Sequence, residues 1–233
     1  MRTSSSGVSG NSEFGCPAAV PKAFVPLAGR PLFAWSLEAL QRCADVDVIV
    51  VVGPTPTTRE LLAAGGRGTA KITSFVEGGA ERQHSVARGL AAMPPEVTIV
   101  AVHDAARALL TPEVAARAIA GARTHGAAIA ALPLADTLKR VESERIVATP
   151  SREGLWLAQT PQVFRRDWLE AAHAGATETS TDDAALIEAI GHAVHVTAGD
   201  PLNFKVTTPA DLELAERWLA RMPDEAARGG GAA

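Results

Sequence analysis

VTIVAVHDAAR, residues 97–107, decides the fold. A run of β-branched and small apolar residues ends without transition in His103, Asp104 and Arg107. Such a run suits a strand buried on both faces of a parallel sheet, with polar residues placed where the strand leaves the core. The next segment, TPEVAARAIAGARTHG (111–126), has a Thr-Pro helix start and a glycine stop, and AAIAALPL (127–134) is again strand-like. Upstream, VDVIVVVG (46–53) is a second buried strand, followed by a helical stretch near 57–64 that the Gly65, Gly66 break closes. KITSFVEGG (71–79) predicts strand then turn, and ERQHSVARGLAAM (81–93) a helix.

The alternation stops at 136–164, which is polar, rich in turn signals and hairpin-like, and is expected to be an arm inserted into the core. Helices near 166–174 and 181–190, a strand at 192–199 and a helix at 209–222 complete the pattern. The fold class is therefore α/β: a Rossmann-like, mostly parallel sheet with helices on both faces and an inserted β-arm. Residues 20–222 are expected to form a single domain, with 1–19 an atypical polar beginning and 223–233 a disordered tail.

Composition narrows the function classes. The 233 residues carry a net charge of −4 with no polybasic run, which argues against nucleic acid as a partner. Two distant cysteines give neither a disulfide framework nor a zinc site. No apolar run is long enough to span a membrane, and residues 1–20 lack the apolar centre of a signal peptide, so a soluble cytoplasmic protein is expected. The 22 basic residues divide into 18 arginines and 4 lysines.

In wound α/β sheets ligands bind beyond the carboxyl ends of the strands, so the windows to examine are 77–82, 103–107, 136–140 and 203–207. Neither a GxxxxGK[ST] loop nor a GxGxxG between strand and helix is present. Seven other elements occur in order: Pro21-Lys22; Gly78-Gly79 with Arg82 and Ser85; His103-Asp104-Ala105-Ala106-Arg107; Asp136-Thr137-Leu138-Lys139-Arg140; Arg152-Glu153-Gly154-Leu155-Trp156 with Gln159-Thr160-Pro161-Gln162; Thr181-Asp182-Asp183-Ala184; and Phe204-Lys205-Val206-Thr207. Together they resemble the 2-C-methylerythritol 4-phosphate cytidylyltransferase (4-diphosphocytidyl-2-C-methylerythritol synthase) family over about residues 20–222.

The resemblance implies cytidylyl transfer from CTP to 2-C-methylerythritol 4-phosphate, with Mg²⁺ as cofactor, in a homodimer joined through the arm. Bringing a phosphomonoester to a triphosphate is opposed by charge repulsion, so cations and positioning carry such a reaction. By resemblance Lys22, Arg152 and Lys205 are the catalytic cations. Three of the four lysines, Lys22, Lys139 and Lys205, fall inside the motifs, where a compact ammonium suits a phosphoryl oxygen. Gly78, Gly79, Ser85, Asp104 and Ala105 are implied on the nucleotide, and Arg107, Thr137, Thr160 and Thr181 on the sugar phosphate. Asp104, costly to bury unpaired, would meet magnesium, a ribose hydroxyl or Arg107.

Simpler readings stand beside these. Gly78 and Gly79 suit a strand-to-helix turn with Ser85 facing its own helix, Thr137 and Lys139 suit cross-strand pairing, and Thr181 to Asp183 suit a helix cap.

One departure concerns the first residues. The family opens with an apolar strand and a loop of the type AAGxGxR before the Pro-Lys pair. Here VSGNSEFGCPAAVPK places Gly15, or with a one-residue slip Phe14, where the arginine stands. A catalytically impaired homologue lacking that triphosphate loop is therefore an alternative, as is an altered N-terminus. The other alternative is a ribitol 5-phosphate cytidylyltransferase, similar at Lys22, Gly79 and HDAAR; the DTLKR and REGLW segments favour methylerythritol phosphate.

Overall fold

The computed structural model describes residues 21–65, 69–177 and 179–221. The expectations for 1–19, for 223–233 and for Gly66 lie outside these residues.

The described chain begins with a 3₁₀ turn, Lys22–Phe24, and a short antiparallel pair, β1 (Pro26–Leu27) and β2 (Arg30–Pro31). Helix α1 (Leu32–Arg42), to which the sequence reading assigns no element, buries Leu32, Phe33, Leu37 and Ala39. There follow β3 (Ile49–Val52), α2 (Thr55–Gly65), β4 (Ile72–Val76), α3 (Arg82–Ala91), β5 (Ile99–Val102), α4 (Pro112–His125) and β6 (Ala127–Pro133). A hairpin of β7 (Arg140–Glu142) and β8 (Arg145–Ala148) precedes β9 (Trp156–Arg165). Helices α5 (Arg166–Gly175) and α6 (Asp183–Ala189), strand β10 (His195–Ala198) and helix α7 (Pro209–Leu219) finish the domain.

The main sheet has the order β10-β6-β9-β5. Strands β10 and β6 are parallel, and β9 runs antiparallel to both β6 and β5, so three of the four strands share a direction. Strands β3 and β4 form a second, parallel pair. The arm is shorter than the sequence suggests. Residues 156–164 belong to the main sheet, because the reversed strand β9 is inserted between β6 and β5; its first three residues stay exposed and Gln159 through Phe164 are buried. Only the β7–β8 hairpin projects, with Ser143 and Glu144 at φ 47° and 64° in its two-residue turn. Its residues are exposed on both faces.

Alanine in β6 lets α4 approach closely on one face: Ala115, Ala118, Ile119 and Ala122 pack with Ala128 and Val163. The other face carries Phe164, Leu169 and Ile187 from β9, α5 and α6. Between β3 and β5 lies a cavity of about 290 Å³, lined by Ile49, Val50, Val52, Val100 and Ala101 and reaching Asp104. Among the described residues, the edges of β3 and β5 have no strand partner beyond β4 and β9 respectively.

Helix α4 ends where its sequence dictates. Thr111 accepts the Val114 N–H at the start, and Gly126 closes the helix at φ 88°, the left-handed geometry glycine tolerates. A side chain there would also meet the Trp168 ring, 2.3 Å from an added Cβ. Gly126→Ala is expected to lower stability by about 2–4 kcal/mol, summing backbone strain and overpacking. Chemical denaturation checks this as a shift in midpoint at unchanged slope.

Candidate active site

The apolar residues of β5 run into the core and stop at Val102, which delivers His103 and Asp104 to the sheet's carboxyl edge. There three segments are stapled together. The Asp104 N–H donates to Thr160 Oγ1 on β9 at 3.0 Å. The Val206 N–H donates to Ala106 O at 2.8 Å, and Asn203 Nδ2 to Thr160 O at 2.8 Å. Arg107 donates to Asn203 O at 2.8 Å and to Ala158 O at 3.2 Å. This lattice fixes the backbone from which Asp104 and Lys205 project.

His103 belongs to the same lattice. Its Nε2 faces Arg107 O at 3.4 Å, and a carbonyl only accepts, so Nε2 carries the proton. Nδ1 is then the acceptor for the Thr160 hydroxyl at 3.0 Å. Burial of the ring pushes His103 down to about 4, against the opposing pull of Asp104, so the imidazole is neutral at physiological pH.

The charged centre is a chain of paired groups. Asp104 Oδ1 accepts from Arg82 Nε at 3.1 Å and Oδ2 from Lys205 Nζ at 2.9 Å. Arg82 is the first residue of α3, and its Nη1 donates to Asp183 Oδ2 at 2.7 Å. His173 Nε2 lies 3.0 Å from the other Asp183 oxygen. Burial alone would raise Asp104, but Lys205 and Arg82 outweigh it and hold the carboxyl below its ordinary value. Burial likewise works against the charge of Arg82, while Asp183 and Asp104 raise it. In Arg107 burial prevails over Asp104, and the guanidinium sits below its ordinary value. Lys22 Nζ donates to Thr207 O at 3.2 Å, two residues beyond Lys205.

The structure thus brings Lys22, Lys205, Asp104 and Ala105 to one edge, joined by Arg82. Other expected residues are placed differently. Thr160 is 4% exposed, and its hydroxyl serves Asp104 and His103, so it orients the loop instead of meeting a ligand. Ser85 Oγ donates to Glu81 O at 3.1 Å and accepts the Gly79 N–H at 2.9 Å, which is the turn reading. Gly79 is required by close packing, since an added Cβ would lie 2.4 Å from His84 Cβ. The carbonyl of Gly78 receives Arg88 at 2.7 Å. Arg107 is held by backbone carbonyls, and Asp104 pairs with Arg82 and Lys205 instead of with Arg107. Thr137 is exposed on the arm, Lys139 donates across the hairpin to Thr149 at 2.9 Å, and Arg152 donates to Ala135 O. Thr181 is exposed, and the cap of α6 is Asp182, which accepts the Ala185 N–H.

His173 is the site residue that sequence reasoning missed; Asp183, read from the sequence within a helix cap or a substrate contact, instead anchors Arg82. A signal existed for Asp183: of two consecutive acids at a helix start, one suffices as cap. None existed for His173, which reaches the site only because α5 packs against α6.

Among the described residues no group of three or more His, Cys, Asp or Glu side chains could hold a metal. A single carboxylate, Asp104, beside Lys205 and Arg82 would suit magnesium that arrives on a triphosphate, since such an ion takes one or two protein carboxylates and completes its shell with phosphate and water.

Comparison with known proteins identifies the family. The family model for 2-C-methyl-D-erythritol 4-phosphate cytidylyltransferase (IspD) matches residues 15–221. A protein of that name from Geobacter metallireducens is 44% identical over 211 residues, covering 87% of this chain and 90% of its own length. One from Frankia casuarinae is 48% identical over 203 residues, covering 86% of this chain and 75% of its own. The crystal structure of the Thermus thermophilus protein of the same name superposes with a TM-score of 0.73 at 38% identity, over 88% of this chain and 96% of that one.

The neutral His103 has a consequence for stability. Its folded value of about 4 lies below the ordinary 6.5, so the unfolded chain binds more protons between these values. Stability from this group is therefore full above about pH 6.5 and lost as pH falls towards 4, by up to about 3 kcal/mol. Urea unfolding across pH 4–7 is expected to show this slope, and His103→Gln to flatten it.

Proposed function

The chain belongs to the 2-C-methyl-D-erythritol 4-phosphate cytidylyltransferase family, and we propose on that footing that it transfers the cytidylyl group of CTP to 2-C-methylerythritol 4-phosphate, releasing pyrophosphate, a step of isoprenoid precursor synthesis. The observation that carries this reading is the pairing of Lys205 and Arg82 with one carboxylate at the end of β5, with Lys22 on the carbonyl of Thr207, two residues beyond Lys205. Two polyanions must meet there: an oxygen of the phosphomonoester bonds to the α-phosphorus of CTP, and the bond from that phosphorus to the bridging oxygen of pyrophosphate breaks. The nucleophile is already an anion, so no base is needed, and a neutral His103 holding the loop is consistent with that.

Lys22 and Lys205 neutralise the approaching phosphates, and charge developing on the leaving pyrophosphate is met by cations already at the site instead of reorganising water. Asp104 and the Ala105 backbone orient the nucleotide, with Gly78 and Gly79 keeping the opposite wall narrow. Asp104 is the residue that would hold magnesium arriving with the nucleotide, and the ion would supply charge screening for the triphosphate.

The sugar-phosphate side needs the arm. Val141, Ile146, Val147, Leu155, Trp156 and Leu157 are 42–58% exposed on and beside the hairpin, an apolar surface that monomers rarely present to water. The reading is a homodimer through this surface, in which Thr137 and Arg152 of one arm complete the partner's site, together with Arg107 and Thr181 on the substrate side. No helix among the described residues is long and apolar enough to cross a membrane, and a cytoplasmic location accords with the family.

A specific observation favours one competing reading, the impaired homologue. Gly15 or Phe14 stands where the family's loop arginine is expected.

The deciding experiment offers CTP and magnesium with either 2-C-methylerythritol 4-phosphate or ribitol 5-phosphate and follows pyrophosphate. Release with the first supports the proposal, preference for the second overturns the substrate, and no CTP binding by calorimetry supports the impaired reading. Lys205→Ala is expected to lower kcat about 10²–10³-fold, with an unfolding midpoint close to that of the unchanged chain. Ile146→Asp is expected to convert the dimer to monomer by light scattering and to lower turnover with it.

A further inference from the structure

The two oxygens of Asp104 are held by partners of different kinds. Arg82, on Oδ1, is anchored at its far end by Asp183, whose side chain is 1% exposed. Asp183 is backed in turn by His173, 6% exposed. The start of α6 is fixed besides, because Gln162 Oε1 accepts the N–H groups of Asp183 and Ala184 and its Nε2 donates to Asp182. Lys205, on Oδ2, is 45% exposed and ends a flexible four-carbon stem. A guanidinium gripped by carboxylates on two sides, one of them fully enclosed, is harder to displace than an exposed ammonium on a single oxygen.

This asymmetry bears on how the site loads. While both cations sit on Asp104, each carboxylate oxygen already accepts a hydrogen bond from a cation, so a metal ion arriving there competes with Arg82 on Oδ1 or with Lys205 on Oδ2. Resting on the cytidylyltransferase reading, we propose that Asp183, backed by His173, is a positioning residue that pins Arg82 to Asp104 and leaves Lys205 as the releasable partner, so that an arriving phosphate draws Lys205 away and opens Asp104 Oδ2 to a divalent cation. Nucleotide and cation then assist each other's binding through one exchanged contact, a coupling that is reciprocal by linkage.

The test uses Mn²⁺ alone as probe, with no nucleotide, followed by paramagnetic broadening of the Ala105 and Ala106 amide resonances in the full chain. Lys205→Met is expected to bind Mn²⁺ about tenfold more tightly than the unchanged chain. The exchange-protected Nε–H resonance of Arg82 is expected to persist in Lys205→Met and to disappear in Asp183→Asn. Should Asp183→Asn fail to fold, Arg82→Lys keeps the charge but cannot span both carboxylates, and is expected to raise Mn²⁺ affinity severalfold. Equal Mn²⁺ affinity in Lys205→Met and the unchanged chain, unaltered affinity in Arg82→Lys, or Arg82 protection surviving in Asp183→Asn would overturn the proposal. Failure of the unchanged chain to bind CTP counts against the cytidylyltransferase reading instead, since the Mn²⁺ arm decides the exchange by itself.

Discussion

The carboxylate of Asp104 is only 18% exposed, and the site is arranged around keeping it charged. Desolvation disfavours the anion, and it persists because Arg82 and Lys205 each hold one oxygen. Those two cations come from distant parts of the chain, one from the start of α3 and one from the loop before α7. Pairing both with Asp104 therefore fixes the relation of β5 to α3 and to the 203–207 loop. Removing the carboxylate would leave two cations facing each other across the loop, so the charges at this edge stand or fall together.

Around that centre, the polar contacts divide into those that hold backbone and those that remain adaptable. Thr160, Asn203, Arg107 and the neutral His103 direct their hydrogen bonds at carbonyls, at amides and at one another. Lys22 and Lys205 carry flexible ammonium groups at the rim. A rigid frame with adaptable cations suits a reaction in which two highly charged substrates enter and a charged product, pyrophosphate, must leave. Binding too rigid for any of the three would slow release.

Much of this was legible in the residues. Strands β3 and β5 announce themselves as β-branched runs, helix α4 by its Thr-Pro and Gly ends, and Lys205 by its place in a motif within a lysine-poor chain. What the sequence hid is tertiary. Residues 156–164 alternate like an arm because β9 continues from it, and nothing local reveals that a reversed strand enters the sheet between β6 and β5. Helix α1 was masked by a continuous apolar stretch that shows no polar face before Ser36. Thr160 and Ser85 carry hydroxyls that motif reasoning gives to ligands, whereas folding turns both to backbone neighbours. Asp183 reads as helix capping until Asp182 is seen to supply the cap alone.

The central claim is that one carboxylate holds a fixed arginine and an exchangeable lysine. A crystal structure with CTP and Mn²⁺ bound tests it most directly. The account predicts Arg82 Nε still on Asp104 Oδ1, close to its present 3.1 Å, with Lys205 Nζ moved from Oδ2 to a phosphate oxygen. Finding Lys205 still on Asp104, or Arg82 displaced to the phosphates and Asp183 left alone with His173, would contradict it.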